Sequence, residues 1–428
     1  MASRDEQSDL FLNSDAVGDD FFYDIIEKKL DINRDKFTIR LVLLSPATGK
    51  NENFVSVVYR AKIKIEMLET KLRRSVDVIV KVLLSTMEEL KAFSVFPRER
   101  FMYEDVLSSY ERIWLDRAGE KIRFGPRSIK FETDPYEIIV LDDLKAEKYE
   151  MLKRQAGLNL VQAKLLLEKL AKFHAASAIR YQTDGILQNY FDRKSTMPEF
   201  PEDSPFIQGF KRMHQGFADS VKNYGDCDEA AAKIASWDFK KLHNVWVDAA
   251  VPMGCGFQVM NHGDIWLNNM MFRSDEDGNS VDVKLIDFQI AFWASPVLDL
   301  LYFLVSSVAD DIKIDHFDDL IEFYHEQLTS ALKRVKFDQH IPTLSEINVD
   351  LLEKGGFACV CLMFILFVVK NDSSEEIDME TMMSGDADTL HRFYNGDGYK
   401  KAAKLWLHFL NKRGFLDTLI VEEKQEGL

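Results

Sequence analysis

The chain has 428 residues, 46% hydrophobic and 29% charged, a balance that suits a soluble globular protein of two or three domains. Lys and Arg number 54 against 71 Asp and Glu, a formal net charge of −17. That charge excludes a broad nucleic-acid-binding face, which needs clustered cations, but not a nucleotide met locally by one lysine and a divalent ion.

Cys227, Cys255, Cys359 and Cys361 are too few and too irregularly spaced for a disulfide framework or a zinc site, and are expected as free thiols. The first twenty residues are polar and acidic, so no secretory leader is expected. The apolar run 357–369 falls short of the ~20 residues of a membrane-spanning helix and reads as a core helix. A cytoplasmic location is the simplest expectation.

In chain order, residues 1–35 have a mixed polar, helical pattern. The segment Gly49-Lys50-Asn51-Glu52-Asn53-Phe54-Val55-Ser56 reads as a polar turn. It lacks the glycine spacing of a P-loop, so backbone amides with Asn53 and Ser56 would have to serve any phosphate there; an ordinary hairpin turn explains it equally well. Over 56–65, Val57, Tyr59, Ala61, Ile63 and Ile65 share one parity and Arg60, Lys62 and Lys64 the other, which predicts a half-exposed strand. Residues 76–84 form a second, more buried strand, linked to the first by the polar stretch 69–75.

Lys81 sits inside that apolar strand, where an unpaired ammonium is costly. Either its head reaches solvent, or it contacts nucleotide phosphates and has a carboxylate partner. Glu99 is the first candidate partner, at the start of a helix expected over 96–110 with Pro97 in its first turn, and Glu104 is the fallback. A strand over 136–141 runs into Asp142-Asp143-Leu144.

The pattern of 158–178 predicts an amphipathic helix capped by Asn159 with Gln162, and His174 on its apolar face reads as a core histidine. Strands return at 257–260, 270–272 and 281–287, the last two joined by the turn 275–279. Beyond Pro296 the chain reads as mostly helical to Leu416.

Between the returning strands stands Asn261-His262-Gly263-Asp264-Ile265-Trp266-Leu267-Asn268-Asn269, followed by Leu285-Ile286-Asp287-Phe288-Gln289. An Asp, an Asn five positions later and an Asp ending a later apolar strand form the layout of a phosphoryl-transfer site. In that layout Asp264 positions an accepting hydroxyl, and Asn269 and Asp287 hold magnesium on nucleotide phosphates. His262 reads as a brace of the loop; a metal-hydrolase site built on it lacks a third ligand. Only twelve positions separate Asp287 from Asp299, with no Ala-Pro-Glu anchor, so the long activation segment of a protein kinase is missing and a small-molecule acceptor is expected. Asp299 reads as a helix-capping or loop-bracing residue. Trp266, Trp293 and 357–369 are either walls of an acceptor pocket or plain core.

These motifs, with Asn53 to Arg60, Ile79-Val80-Lys81-Val82, Glu99 to Tyr103, Leu141 to Leu144 and Leu170 to Ala175, resemble the ecdysteroid kinase-like family, also described as choline/CHK-kinase-like, in the aminoglycoside-phosphotransferase branch of the kinase fold. Asp-Phe-Gln in place of Asp-Phe-Gly, and Trp266 after the Asp, favour that group over antibiotic kinases or true choline kinases. The resemblance implies an α+β, bilobal protein-kinase-like fold. A small, mainly antiparallel β N-lobe would span 1–144, and a larger, mainly helical C-lobe 145–428 would carry the catalytic loop 261–289. It implies ATP and Mg2+, with Asp264 as base, Asn269 and Asp287 as metal ligands, and Lys81 with Glu99 anchoring phosphates. The backbone of Asp142 to Leu144 would meet adenine, with Asp142 standing where relatives usually carry Glu.

The expected reaction is phosphorylation of a hydroxyl on an ecdysteroid, another hydroxylated steroid or a xenobiotic, in hormone inactivation or detoxification. The alternatives are a choline- or ethanolamine-type kinase and a non-catalytic ligand-binding homologue. A monomer is expected, with no nucleic-acid partner and no membrane span.

Overall fold

The computed structural model describes residues 18–47, 56–83, 94–134, 136–185, 201–238, 242, 245, 256–371 and 385–417. The turn with Asn53 therefore lies outside the described residues, as do 186–200 and most of 239–255.

Five strands build an antiparallel sheet in the order β1-β2-β3-β5-β4: β1 Phe37–Pro46, β2 Ser56–Met67, β3 Arg73–Leu83, β4 Ser128–Glu132 and β5 Glu137–Asp142. The alternation read from the sequence sets the faces of β2: Tyr59, Ala61, Ile63 and Ile65 are buried beneath the helix Asp19–Leu30, together with Phe22, Ile25 and Ile26. Long β-branched runs in β3 and β5 let these central strands be covered on both sides. In the ladder Lys81 of β3 stands opposite Val58 of β2 and Ile139 of β5.

The helix expected over 96–110 is longer and not regular. It runs as Val95–Phe101, a π-helical turn Met102–Val106 and Leu107–Ala118, closed by Gly119 in the left-handed conformation. Pro97 lies in its first turn, where its missing N–H costs nothing.

The described residues that follow are mainly helical. Leu160–Asp184 carries the capping box expected of Asn159 and Gln162, each side chain accepting from the other's backbone. Two small sheets lie in this half: β7 (Val259–Asn261) with β10 (Phe292–Ala294), and β6 (Tyr149–Glu150) with β8 (Met270–Ser274) and β9 (Ser280–Leu285). The β8–β9 turn is closed by Asp275 and Asn279, with Gly278 at φ 85°. Helices follow at Val297–Ser306, Phe317–Arg334, Leu344–Glu353, Gly356–Cys361, Phe367–Lys370, Ala387–Asn395 and Asp397–Lys412. Residues 357–369 are buried almost throughout, as core. Among the described residues no single helix is long and apolar enough to cross a membrane. An antiparallel sheet followed by a helical region is the architecture of a bilobal kinase-like fold.

Candidate active site

The β8–β9 hairpin sets the first distances. Met270 pairs with Leu285, and the Ile286 N–H donates to the Asn269 carbonyl at 3.0 Å, so Asn269 and Asp287 emerge side by side from the two strand ends. Asn269 Nδ2 donates to both the backbone oxygen and the Oδ2 of Asp264, each at 2.8 Å. Its amide oxygen is left for another partner.

Asp264 is gripped on its other oxygen by the Tyr302 hydroxyl, which donates to Oδ1 at 2.5 Å, and Trp266 also hydrogen-bonds to the carboxylate. Burial and the nearby Asp287 carboxylate push Asp264 up to about 6, against the pull of these donors.

Across the cleft, Lys81 Nζ lies 2.7 Å from Glu99 Oε2 and 2.9 Å from Asp287 Oδ1. Burial works to lower the lysine, but the two carboxylates outweigh it and hold the ammonium charged, above its ordinary value. Burial raises the Glu99 carboxyl to about 7 while the ammonium pulls it back. Glu104 pairs instead with Arg100 on the exposed side of the same helix, so the partner of Lys81 is Glu99. One lysine thus faces Glu99 and Asp287, with Asp264 close enough to feel the latter, an excess of negative charge that favours a bound cation.

The loop is fixed from below by Asp299, at the start of the helix Val297–Ser306. Its Oδ2 accepts the His262 N–H at 2.7 Å and its Oδ1 the Gly263 N–H at 3.0 Å, while His174 Nε2 lies 3.2 Å from Oδ2. Loop-bracing, one of the two readings of Asp299, describes these contacts. His262 donates from Nε2 to the Ile286 carbonyl at 3.1 Å and accepts the Asp264 N–H on Nδ1 at 3.3 Å. That pattern requires a neutral ring, and burial lowers the pKa of His262 accordingly. His174, fully buried, is likewise satisfied, by Tyr324 and Asp299.

Two backbone positions are special. Gly263 has φ 81°, and a Cβ there would stand 2.3 Å from the Ile290 carbonyl oxygen. Asp287 has φ 66°, a conformation Asp tolerates better than most residues, and its N–H is accepted by the Tyr103 hydroxyl at 3.2 Å.

Ser56 is buried at the start of β2, opposite Leu83 and two positions from Lys81. At the end of β5 the Asp142 carboxylate pairs with Lys29 and Arg123, and its N–H donates to the Arg127 carbonyl. Asp143 pairs with Arg60 and caps the short turn Leu144–Glu147. The Leu144 side chain is buried. Trp293 stacks on Tyr181 with ring centroids 4.7 Å apart.

Residues 50–337 match the ecdysteroid kinase-like family. The chain belongs to that family. Within this ecdysteroid kinase-like chain the matched segment carries β2, β3, the Glu99 helix, the 261–289 loop and Asp299, and it ends before the helix Leu344–Glu353. No curated protein is significantly similar to the chain. The family points to a small-molecule kinase.

The sequence reading missed Tyr302 and Tyr103. Tyr302 stands one turn beyond Asp299 on the same helix, a spacing that would have placed both under the loop had that helix been docked there.

Proposed function

We propose that the protein is an ATP- and magnesium-dependent phosphotransferase that phosphorylates a hydroxyl of a small molecule, an ecdysteroid or another hydroxylated steroid or xenobiotic. The observation that carries this reading is Lys81 bridging Glu99 and Asp287 across the cleft from an Asp264 whose carboxylate is held by Asn269.

In this reading Asp264 accepts the acceptor's hydroxyl proton as its oxygen bonds to the γ-phosphorus and the bond to the ADP oxygen breaks. A base near 6 is ionised at neutral pH yet basic enough to take a proton. Lys81, kept cationic by its two partners, would hold phosphate oxygens, and Glu99 would fix its direction. Asn269 and Asp287 offer hard oxygens, the donor type magnesium takes while keeping several waters, and the local excess of carboxylates fits it. Bound there, magnesium would offset charge on the phosphates. The tight bracing by the neutral His262 ring and by Asp299 keeps the loop from reorganising during transfer.

The test is incubation with ATP, magnesium and a panel of hydroxysteroids and phenolic glycosides, followed by mass spectrometry. The expected result is gain of one phosphoryl group on an acceptor with matching ADP. Absence of both transfer and magnesium-dependent stabilisation by ATP would sink the reading.

A further inference from the structure

Far from the cleft in sequence, a tight loop brings three donor atoms of different chemistry to one point. Gly225 (φ 64°) and Asp226 (φ 53°) turn the chain into Cys227, which precedes the helix Asp228–Ala235. On the helix Asp397–Lys412, Lys404 and His408 are four residues apart and share a face. Cys227 Sγ lies 3.8 Å from Asp226 Oδ1 and 3.7 Å from His408 Nε2, and His408 Nε2 lies 3.7 Å from that same Oδ1. The donors close a nearly equilateral triangle.

A tetrahedral zinc ion, with Zn–S of about 2.3 Å and Zn–N and Zn–O of about 2.0–2.2 Å, sets its ligand atoms roughly 3.4–3.6 Å apart. The three atoms are within a few tenths of an ångström of that spacing. We propose that Asp226, Cys227 and His408 form a site for a zinc-like divalent ion, with its fourth position open to water.

The donor set selects the ion. Sulfur and imidazole favour zinc over magnesium, whereas Asn269 and Asp287 offer only oxygen. Access is also suitable: the His408 and Asp226 side chains are 53% and 65% exposed, while the Cys227 thiol forms the buried floor. Burial keeps that thiol protonated, so binding the ion releases its proton to solvent. Lys404 Nζ, 2.7 Å from Asp226 Oδ1, competes for the same oxygen and must swing out when the ion enters. The site would clamp the loop before the helix Asp228–Ala235 to a helix beyond residue 337, outside the family-matched segment.

Titration of the full chain with Zn2+ against a chromophoric chelator, and with Co2+ followed by absorption, tests this. One bound ion per chain should give a thiolate-to-cobalt charge-transfer band that Cys227→Ser abolishes. His408→Gln, at an exposed position, should weaken affinity by roughly ten-fold or more, and Lys404→Met should tighten it. Asp287→Asn should leave the band intact, separating this site from the cleft. Metal-free thermal melts of Cys227→Ser and His408→Gln confirm that each variant folds. No charge-transfer band, or Zn2+ affinity unchanged in both variants, would mean an adventitious surface ion only and overturn the proposal.

Discussion

The Tyr302 hydroxyl donates to Asp264 Oδ1 at 2.5 Å, from a helix that also supplies Asp299 to the loop beneath. One helix therefore fixes both the carboxylate of the proposed base and the backbone of the two residues before it.

Tyr302→Phe removes the donor that aims one oxygen of the proposed base, so kcat should fall by roughly ten-fold or more through lost positioning. Because the tyrosine stabilises the ionised form, its loss should also move the acidic limb of the pH–rate profile to higher pH. Steady-state kinetics from about pH 5 to about pH 8 reads both effects.

The wild-type profile has a defined sign. Only the ionised Asp264 can accept a proton, and its pKa is raised to about 6 by burial and by Asp287. The logarithm of kcat/KM should therefore drop as pH falls through that region. Neutralising Asp287 with more magnesium should shift the midpoint downward, toward the ordinary carboxylate value.

Lys81→Ala leaves Glu99 and Asp287 facing each other without their shared cation. Stability should fall by about 3–5 kcal/mol, the cost of breaking a buried pair. Transfer should fall by about a hundred- to thousand-fold, as for loss of one preorganised charge-stabilising group. Thermal melts and ATP kinetics on the same sample check the two effects. Glu104→Ala, away from Lys81, should leave both near wild type.

Asp299→Ala strands the His262 and Gly263 N–H groups, buried donors that cost about 1–3 kcal/mol each when unpaired. A denaturant melt should show that loss, and activity should fall with it because the loop carrying Asp264 loses its anchor.

Much of this site was legible in the sequence because its parts are local or periodic. The Asp264–Asn269 offset lies within one loop, Asp287 follows a strand by two residues, and the apolar run around Lys81 exposes it as a charge within a strand. What was illegible depends on long-range docking or on broken periodicity. Tyr302 meets Asp264 across 38 residues through helix placement. β1 escaped notice because a register shift between Ile39 and Leu41 interrupts its alternation, and β4 carries a similar shift between Ser128 and Lys130. The helix Pro205–Val221, capped by Ser204, carries no motif residue that would tie its apolar face to the site. The convergence of Cys227 with His408 spans 181 residues, beyond any spacing rule for metal ligands.

The account rests on Asp264 as the proton acceptor beside a nucleotide held by Lys81, Asn269 and Asp287. Its most direct measurement compares wild type and Asp264→Asn in a single-turnover phosphotransfer assay, with magnesium–ATP binding followed in parallel by thermal shift. The variant should bind magnesium–ATP much as wild type does and transfer slower by at least ~10². Transfer at the wild-type rate by Asp264→Asn would contradict the assignment.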